Sequence, residues 1–315
     1  MIPEHYFWIV FVVIALTMFI VDIYATEHRD EKIRLKTSLF WSGIWVGTAI
    51  LFGVLIYFFM ENGQSKAVDY ITGYLIEESL SVDNLFVFLM IFDLMKIKDA
   101  NQPHILKWGI LSAIVMRIIF IMAGVALIER FHFIIYIFGF FLFYAAYKMI
   151  SSSGENDIKL EKNFLLRFLY KRFNVIEVYE GKSFILKKNG KYYITNLLVT
   201  LLLIESADLI FAIDSIPAIL AVTRDPFIVI TSNILAVMGL RSLYFALAGL
   251  ANLFAYLKYG VALILFYVGV KMLLTDIYKI DSMISLFFII GVLATSIVIS
   301  IMKNKTDKES KKKRR

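Results

Sequence analysis

The chain has 315 residues, 60% of them hydrophobic, with a mean hydropathy of +0.75 and a formal net charge of +7. A soluble domain is about 45–50% apolar, so this composition excludes an ordinary soluble fold and reads as a membrane protein. The positive charge collects in loops and in the tail Lys311 to Arg315, the positive-inside pattern of a multi-span protein, and no nucleic-acid partner is expected. With no cysteine, disulfides, thiolate metal sites and iron–sulfur ligation are excluded, and His5, His28, His104 and His132 all stand outside the charged motifs. A bound metal would therefore meet oxygen.

A membrane helix needs about 20 mostly apolar residues. On that scale nine segments qualify: 6–25, 39–60, 68–94, 105–128, 132–150, 193–221, 227–250, 259–276 and 283–302. The run Phe7 to Tyr24 is too long for a signal-peptide core and no basic residue precedes it, so it reads as a retained first span with its N-terminus outside. Loops 26–38, 95–104, 151–192 and 251–258 and the tail 303–315 then face the cytoplasm. Together with Lys107 and Lys148 at span ends they hold 26 of the 33 Lys and Arg. The soluble piece 151–192 opens with Ser151-Ser152-Ser153-Gly154 and carries an amphipathic stretch, Phe164 to Phe173. It then sets Ser183 to Lys187 against Lys191 to Thr195 about Asn189-Gly190, a type I′ hairpin signal. A connector is expected here; the alternative is a docking element for a protein partner.

One charge pattern occurs twice inside apolar segments, as Glu77-x5-Asp83-Asn84 and as Asp208-x5-Asp214-Ser215. Each is followed by an arginine and Ala-Gly (Arg117 with Ala123-Gly124, Arg241 with Ala248-Gly249), then by Phe-Tyr-x3-Lys-Met at Phe143 to Met149 and Phe266 to Met272. The repeated units hold three spans each, and an odd number makes the second enter the membrane from the opposite side, an inverted-topology repeat of the kind secondary transporters use to rock about a shared site. The expected fold is all-α: a polytopic membrane bundle of about nine helices containing two such repeats. Its layout is an N-terminal helix pair (1–67), a first unit (68–150), the loop (151–192), a second unit (193–276), a final helix (277–302) and a basic tail (303–315).

Ionisable groups at membrane depth mark function by default. The candidate metal-binding set is Glu77, Ser81, Asp83, Asn84, Glu205, Asp208, Asp214 and Ser215, all oxygen donors that suit a hard divalent cation such as Mn²⁺, Mg²⁺ or Ca²⁺. Glu78, Arg117 and Arg241 are candidates for ion pairing or gating. Antiparallel first helices would bring Glu77 level with Asp214 and Asp83 level with Asp208. Groups six residues apart on one helix lie about 9 Å apart along the axis and about 120° apart around it, so either two helices share the site or the helix unwinds there. Pro217 favours a break in the second unit. Lys148 and Lys271 are expected to snorkel to an interface. No hydrolase or Walker-type signature is present, so no enzyme activity and no cofactor is expected, and the membrane lipid and the transported ion are the expected partners.

The stretches Glu77 to Phe88 and Glu205 to Ile219 resemble the paired signatures of the TerC family, and the similarity runs from the second span to the end of the eighth, closest to the nine-span Alx type. The resemblance implies a multi-pass protein of the bacterial inner membrane, related to the LysE-like transporters and linked to manganese export. It places the family's acidic positions on Glu77, Asp83, Asn84, Glu205, Asp208, Asp214 and Ser215. Three functions follow as expectations: a manganese exporter, a proton-coupled exporter of an organic solute, and an accessory protein that delivers metal to secreted proteins.

Overall fold

A computed structural model describes residues 3–27, 35–131, 133–151, 171–176, 181–188, 190–250, 257–274, 276–278 and 280–313. Among them are nine α-helices: α1 (Glu4–Glu27), α2 (Leu35–Phe59), α3 (Gly63–Leu94), α4 (Gln102–Arg130), α5 (Ile134–Ser151), α6 (Asn196–Leu220), α7 (Pro226–Leu250), α8 (Leu257–Leu273) and α9 (Ser282–Lys313). Stretches of α1, α2, α4, α6, α7 and α9 are long and apolar enough to cross a membrane. The apolar runs of α5 and α8 are shorter, Ile134–Tyr147 and Tyr259–Leu273. The remaining helix, α3, carries Lys66, Asp69, Glu77, Glu78, Asp83 and Asp93, which is why its hydropathy falls short although it lies inside the bundle. The chain is a polytopic helical membrane protein.

Sequence punctuation explains several helix starts. Asp225 precedes Pro226, and its Oδ1 accepts the Phe227 and Ile228 amides at 3.0 and 3.4 Å, an N-cap followed by proline at the first helical position. Asp281 caps α9 in the same way through the Met283 amide at 2.8 Å. The turn from α2 to α3 places Asn62 at φ 54°, and a Cβ on Gly63 would collide with the Ile56 and Tyr57 carbonyls, so the tight hairpin requires glycine there. Hydroxyls inside the bundle, among them Thr72, Thr200 and Thr231, donate to the carbonyl four residues earlier and so satisfy their donors without water.

Contacts at the two ends fix the direction of the helices. Lys66 at the start of α3 pairs with Asp225 before α7 (2.8 Å) and with Glu4 at the start of α1 (3.2 Å), so these three starts share one face. Tyr136 near the start of α5 donates to Asp276 just beyond α8. At the opposite face lies a three-stranded sheet, β1 (Val175–Ile176), β2 (Ile185–Lys188) and β3 (Lys191–Thr195), in the order β1-β3-β2. Lys188 faces Lys191 across a two-residue connection whose Gly190 has φ 76°, and β1 adds a parallel partner that the hairpin signal did not announce. The amphipathic stretch before it lies almost wholly outside the described residues. Phe184 stacks on His104 (5.1 Å between ring centroids) and meets Trp108 edge-on, while β3 runs straight into α6, so the sheet ties the starts of α4 and α6 together.

Equivalent helices of the two repeated units therefore run in opposite directions. The units also interleave: α3 packs chiefly on α7, α4 on α6 and α5 on α8, so each helix leans on the other unit more than on its own. Exchanging α3 with α6, α4 with α7 and α5 with α8 reproduces this pattern. At the α5–α8 crossing a Cβ on Gly269 would lie 3.0 Å from the Gly139 carbonyl, the close backbone approach that small residues permit where lipid offers no hydrophobic drive. Helix α7 is the centre of the bundle and almost wholly buried, whereas α1 and α9 expose most of their apolar side chains to the surroundings.

Candidate functional site

Eleven residues separate Lys66 from Glu77, about 16 Å of helix, and eight separate Asp225 from Asn233, about 12 Å. Both side chains therefore sit near the middle of a hydrocarbon layer about 30 Å thick. There, four helices contribute to one buried network. Arg117 on α4 donates through Nη1 to Glu77 on α3 and to Asn233 Oδ1 on α7 at 3.0 Å, and through Nη2 to Asp208 Oδ1 on α6 at 3.2 Å. Asn233 Nδ2 donates to Glu77 Oε2 at 2.9 Å, and Ser81 donates to Glu77 Oε1 at 3.1 Å. Glu77, Ser81, Arg117 and Asn233 are each 0% exposed and Asp208 is 3% exposed, so this is a charged network without bulk water. Charges at such depth persist only when paired and hydrogen-bonded, which is what the guanidinium provides to both carboxylates.

Beside this network lies a cavity of about 20 Å³, lined in part by Gly109, Glu205, Asp208 and Arg241. About 10–15 Å³ is enough for one water, so the space suits a single water or ion. Glu205 accepts a hydrogen bond from Ser112, and its Oε2 has no hydrogen-bond partner among the described residues. Gly109 leaves the room: a Cβ there would sit 3.4 Å from Glu205 Oε1.

Of the residues expected from sequence, Glu77, Ser81, Asp208 and Arg117 come together directly, and Glu205 and Arg241 join Asp208 around the cavity. Asn84 and Ser215 are buried, the Ser215 hydroxyl without a partner among the described residues. The side chains of Asp83 and Asp214 lie outside the described residues. Glu78 does not join: neighbouring side chains on a helix point about 100° apart, and its buried Oε2 has no hydrogen-bond partner among the described residues. Among the described residues no three acidic or histidine side chains converge as a ready metal cluster.

The described partners of Glu77 lead to Asp208 through Arg117, and the expected level pairing with Asp214 falls on a side chain outside the described residues. Two expectations are corrected. Both motif helices are continuous, and α6 passes through Pro217 to end at Leu220, because a proline this near the end costs only the last turn. Lys271 does not snorkel; it is 8% exposed and donates to Ser285 on α9, which covers it. The sequence reading missed Asn233 and Ser112. Asn233 is a buried amide that follows Thr231 and Ser232 in an otherwise largely apolar helix, and the rule that flagged the carboxylates, polarity at membrane depth, applies to it equally.

Such a bundle, with opposed motif helices joined at mid-depth by buried charge, defines an integral membrane protein built around a charged centre. The family described as "Integral membrane protein TerC family" matches residues 62–308, and the chain belongs to it. It is 42% identical over 298 residues to the "Uncharacterized membrane protein STKORF319" of Myxococcus xanthus, covering 95% of this chain and 92% of that one. It is 40% identical over 304 residues to proteins of Salmonella typhi and Escherichia coli K12, each named "Putative membrane-bound redox modulator Alx", covering 94% of both chains in each case. No solved structure shows significant similarity to it.

Proposed function

We propose that this protein is a secondary transporter that exports a hard divalent cation, manganese foremost, across the bacterial inner membrane, through the centre shared by α3 and α6. The observation that carries the reading is the convergence of Glu77 and Asp208, one from each repeated unit, at a water-excluded point beside a cavity of about 20 Å³. The paired carboxylates, one from each unit, favour a cation over an organic solute as the cargo. Manganese comes from the family resemblance; the oxygen-only chemistry supports any hard divalent cation. With the N-terminus outside, the Lys- and Arg-rich loops face the cytoplasm. An inside-negative potential opposes export by about 2.3 kcal/mol per charge per 100 mV, so an ion entering in exchange, the proton first, would drive the cycle. The relatives' names speak of redox modulation; a chain with no cysteine has no thiol chemistry of its own to contribute to it.

The test is Mn²⁺ flux in sealed, oriented vesicles holding purified protein, with Glu77→Gln, Asp208→Asn, Asp83→Asn and Asp214→Asn beside the parent, repeated with Ca²⁺, Mg²⁺ and an imposed pH gradient. Saturable Mn²⁺ movement lost in Glu77→Gln and Asp208→Asn supports the reading. Absence of flux in folded parent protein refutes it and turns attention to metal delivery through a partner on the sheet at 171–195.

A further inference from the structure

We propose that Arg117 is a tethered competitor of the transported cation: its guanidinium holds Glu77 and Asp208 when no ion is bound, and the ion enters by displacing it. The proposal rests on the transport reading and specifies how that same centre is kept closed. Among the described groups, the two carboxylates carry two negative charges and Arg117 one positive. With the arginine in place the centre keeps one net negative charge and attracts a cation. With a divalent ion in its place the pair is neutral; counting Glu205 and Arg241 at the adjoining cavity, three carboxylates face two guanidinium groups, so an ion added beside both arginines would leave the centre net positive, which favours displacement.

The geometry suits a group that leaves. The guanidinium is gripped only at its tip, by Glu77, Asn233 and Asp208, and its Nε has no hydrogen-bond partner among the described residues although it is buried. Glu205, three residues before Asp208 and so on the same helix face, keeps an unpartnered Oε2 that can receive the displaced group. An arginine stays charged at every accessible pH, so the lock itself does not titrate and opens only when a competing cation takes its place on the carboxylates. The exchange also moves the helices. The guanidinium bridges the two carboxylates through two separate nitrogens, whereas a single ion must touch both at about 2.0–2.6 Å, so ion entry draws α3 and α6 together.

The experiment is equilibrium Mn²⁺ binding to the purified full chain, with free Mn²⁺ read by electron paramagnetic resonance. Arg117→Ala is expected to tighten Mn²⁺ binding by about 5- to 150-fold, the usual range for coupling between two ligands. Guanidinium ion added to Arg117→Ala is then expected to weaken Mn²⁺ binding competitively, while leaving the parent protein unaffected, a response that a structural arginine would not produce. Asn233→Ala, which frees the guanidinium without changing charge, is expected to tighten binding more modestly, and it decides the matter if Arg117→Ala does not fold. Unchanged or weaker binding in the folded variants, or no effect of guanidinium, overturns the proposal. Parent and variants that all fail to bind Mn²⁺ overturn the transport reading itself, and the competition with it.

Discussion

Replacing Asn233 by leucine tests the network at its least expected member. The amide donates to Glu77 Oε2 at 2.9 Å and accepts from Arg117 Nη1 at 3.0 Å, and all three residues are 0% exposed, so both charged partners lose a bond that no bulk water replaces. A hydrogen bond to a charged group is worth about 1.5–3 kcal/mol, whereas polar bonds between membrane helices average about 0.6 and reach about 1.7, because the unfolded chain in the membrane also finds partners. Taking the overlap of those ranges for two bonds gives a loss of about 3 kcal/mol, or an apparent Tm lower by about 6 °C or more at about 2–4 °C per kcal/mol. The assay is unfolding in detergent under reversible conditions, as a cycle of Asn233→Leu, Glu77→Met and the double variant. A coupling of about 1.5 kcal/mol between the two positions is expected. Additivity to within about 0.5 kcal/mol, the scatter of independent sites, would refute the bond and with it the four-helix network.

Other consequences follow from packing and charge. Gly269→Ala places a methyl 3.0 Å from both the Gly139 carbonyl and the Phe143 ring, and should cost about 1–3 kcal/mol in the same unfolding assay. Gly291→Ala, with nothing within 4 Å, should be neutral or stabilise by up to about 1 kcal/mol. For Lys66, burial lowers the pKa but the pairs with Asp225 and Glu4 outweigh it, so the value lies above the ordinary 10.5. Its contribution is thus complete below that pH and is lost only as pH rises through the higher folded value; Lys66→Met should lower stability by at most about 2 kcal/mol and by the same amount from pH 6 to 9. Phe184→Ala removes the stacking on His104 and should make the sheet more sensitive to protease, while Mn²⁺ flux persists if the sheet only connects the units.

Much of this was legible in the chain because each signal is local. Apolar runs, the Asp225-Pro226 cap, the Asn189-Gly190 turn and the twin acidic motifs all act within a few residues. What was not legible depends on neighbours distant in sequence. Nothing near Arg117 tells it to reach Glu77, 40 positions away, and Asp208, 91 positions away. Pro217 looked like a break because proline removes a hydrogen bond, yet the helix closes beyond it with the Ala221 amide bonding the Pro217 carbonyl at 3.0 Å. Lys271 looked like a snorkelling residue from its distance to a helix end, which says nothing of the helix lying over it.

Continuous motif helices and interleaved units together restrict how the centre can work. With α3 and α6 unbroken, the donors available to a bound ion would be side chains and the Ile213 carbonyl, to which Pro217 has no amide to donate, and the side-chain charge must be balanced when no ion is present. Because each helix packs on the other unit, the two units cannot rock as separate three-helix bodies in the way inverted repeats suggest. The closest packing pairs α3 with α7 and α4 with α6, while α4 also lies against α7 and α3 against α6. The network divides along that line: Glu77 and Asn233 belong to the first pair, and Arg117 and Asp208 to the second. Every bond joining the two pairs within this network ends on the Arg117 guanidinium. On the transport reading, an ion that displaced it would become the link between Glu77 and Asp208, and exchange of one cation for another would be coupled to movement of one helix pair against the other.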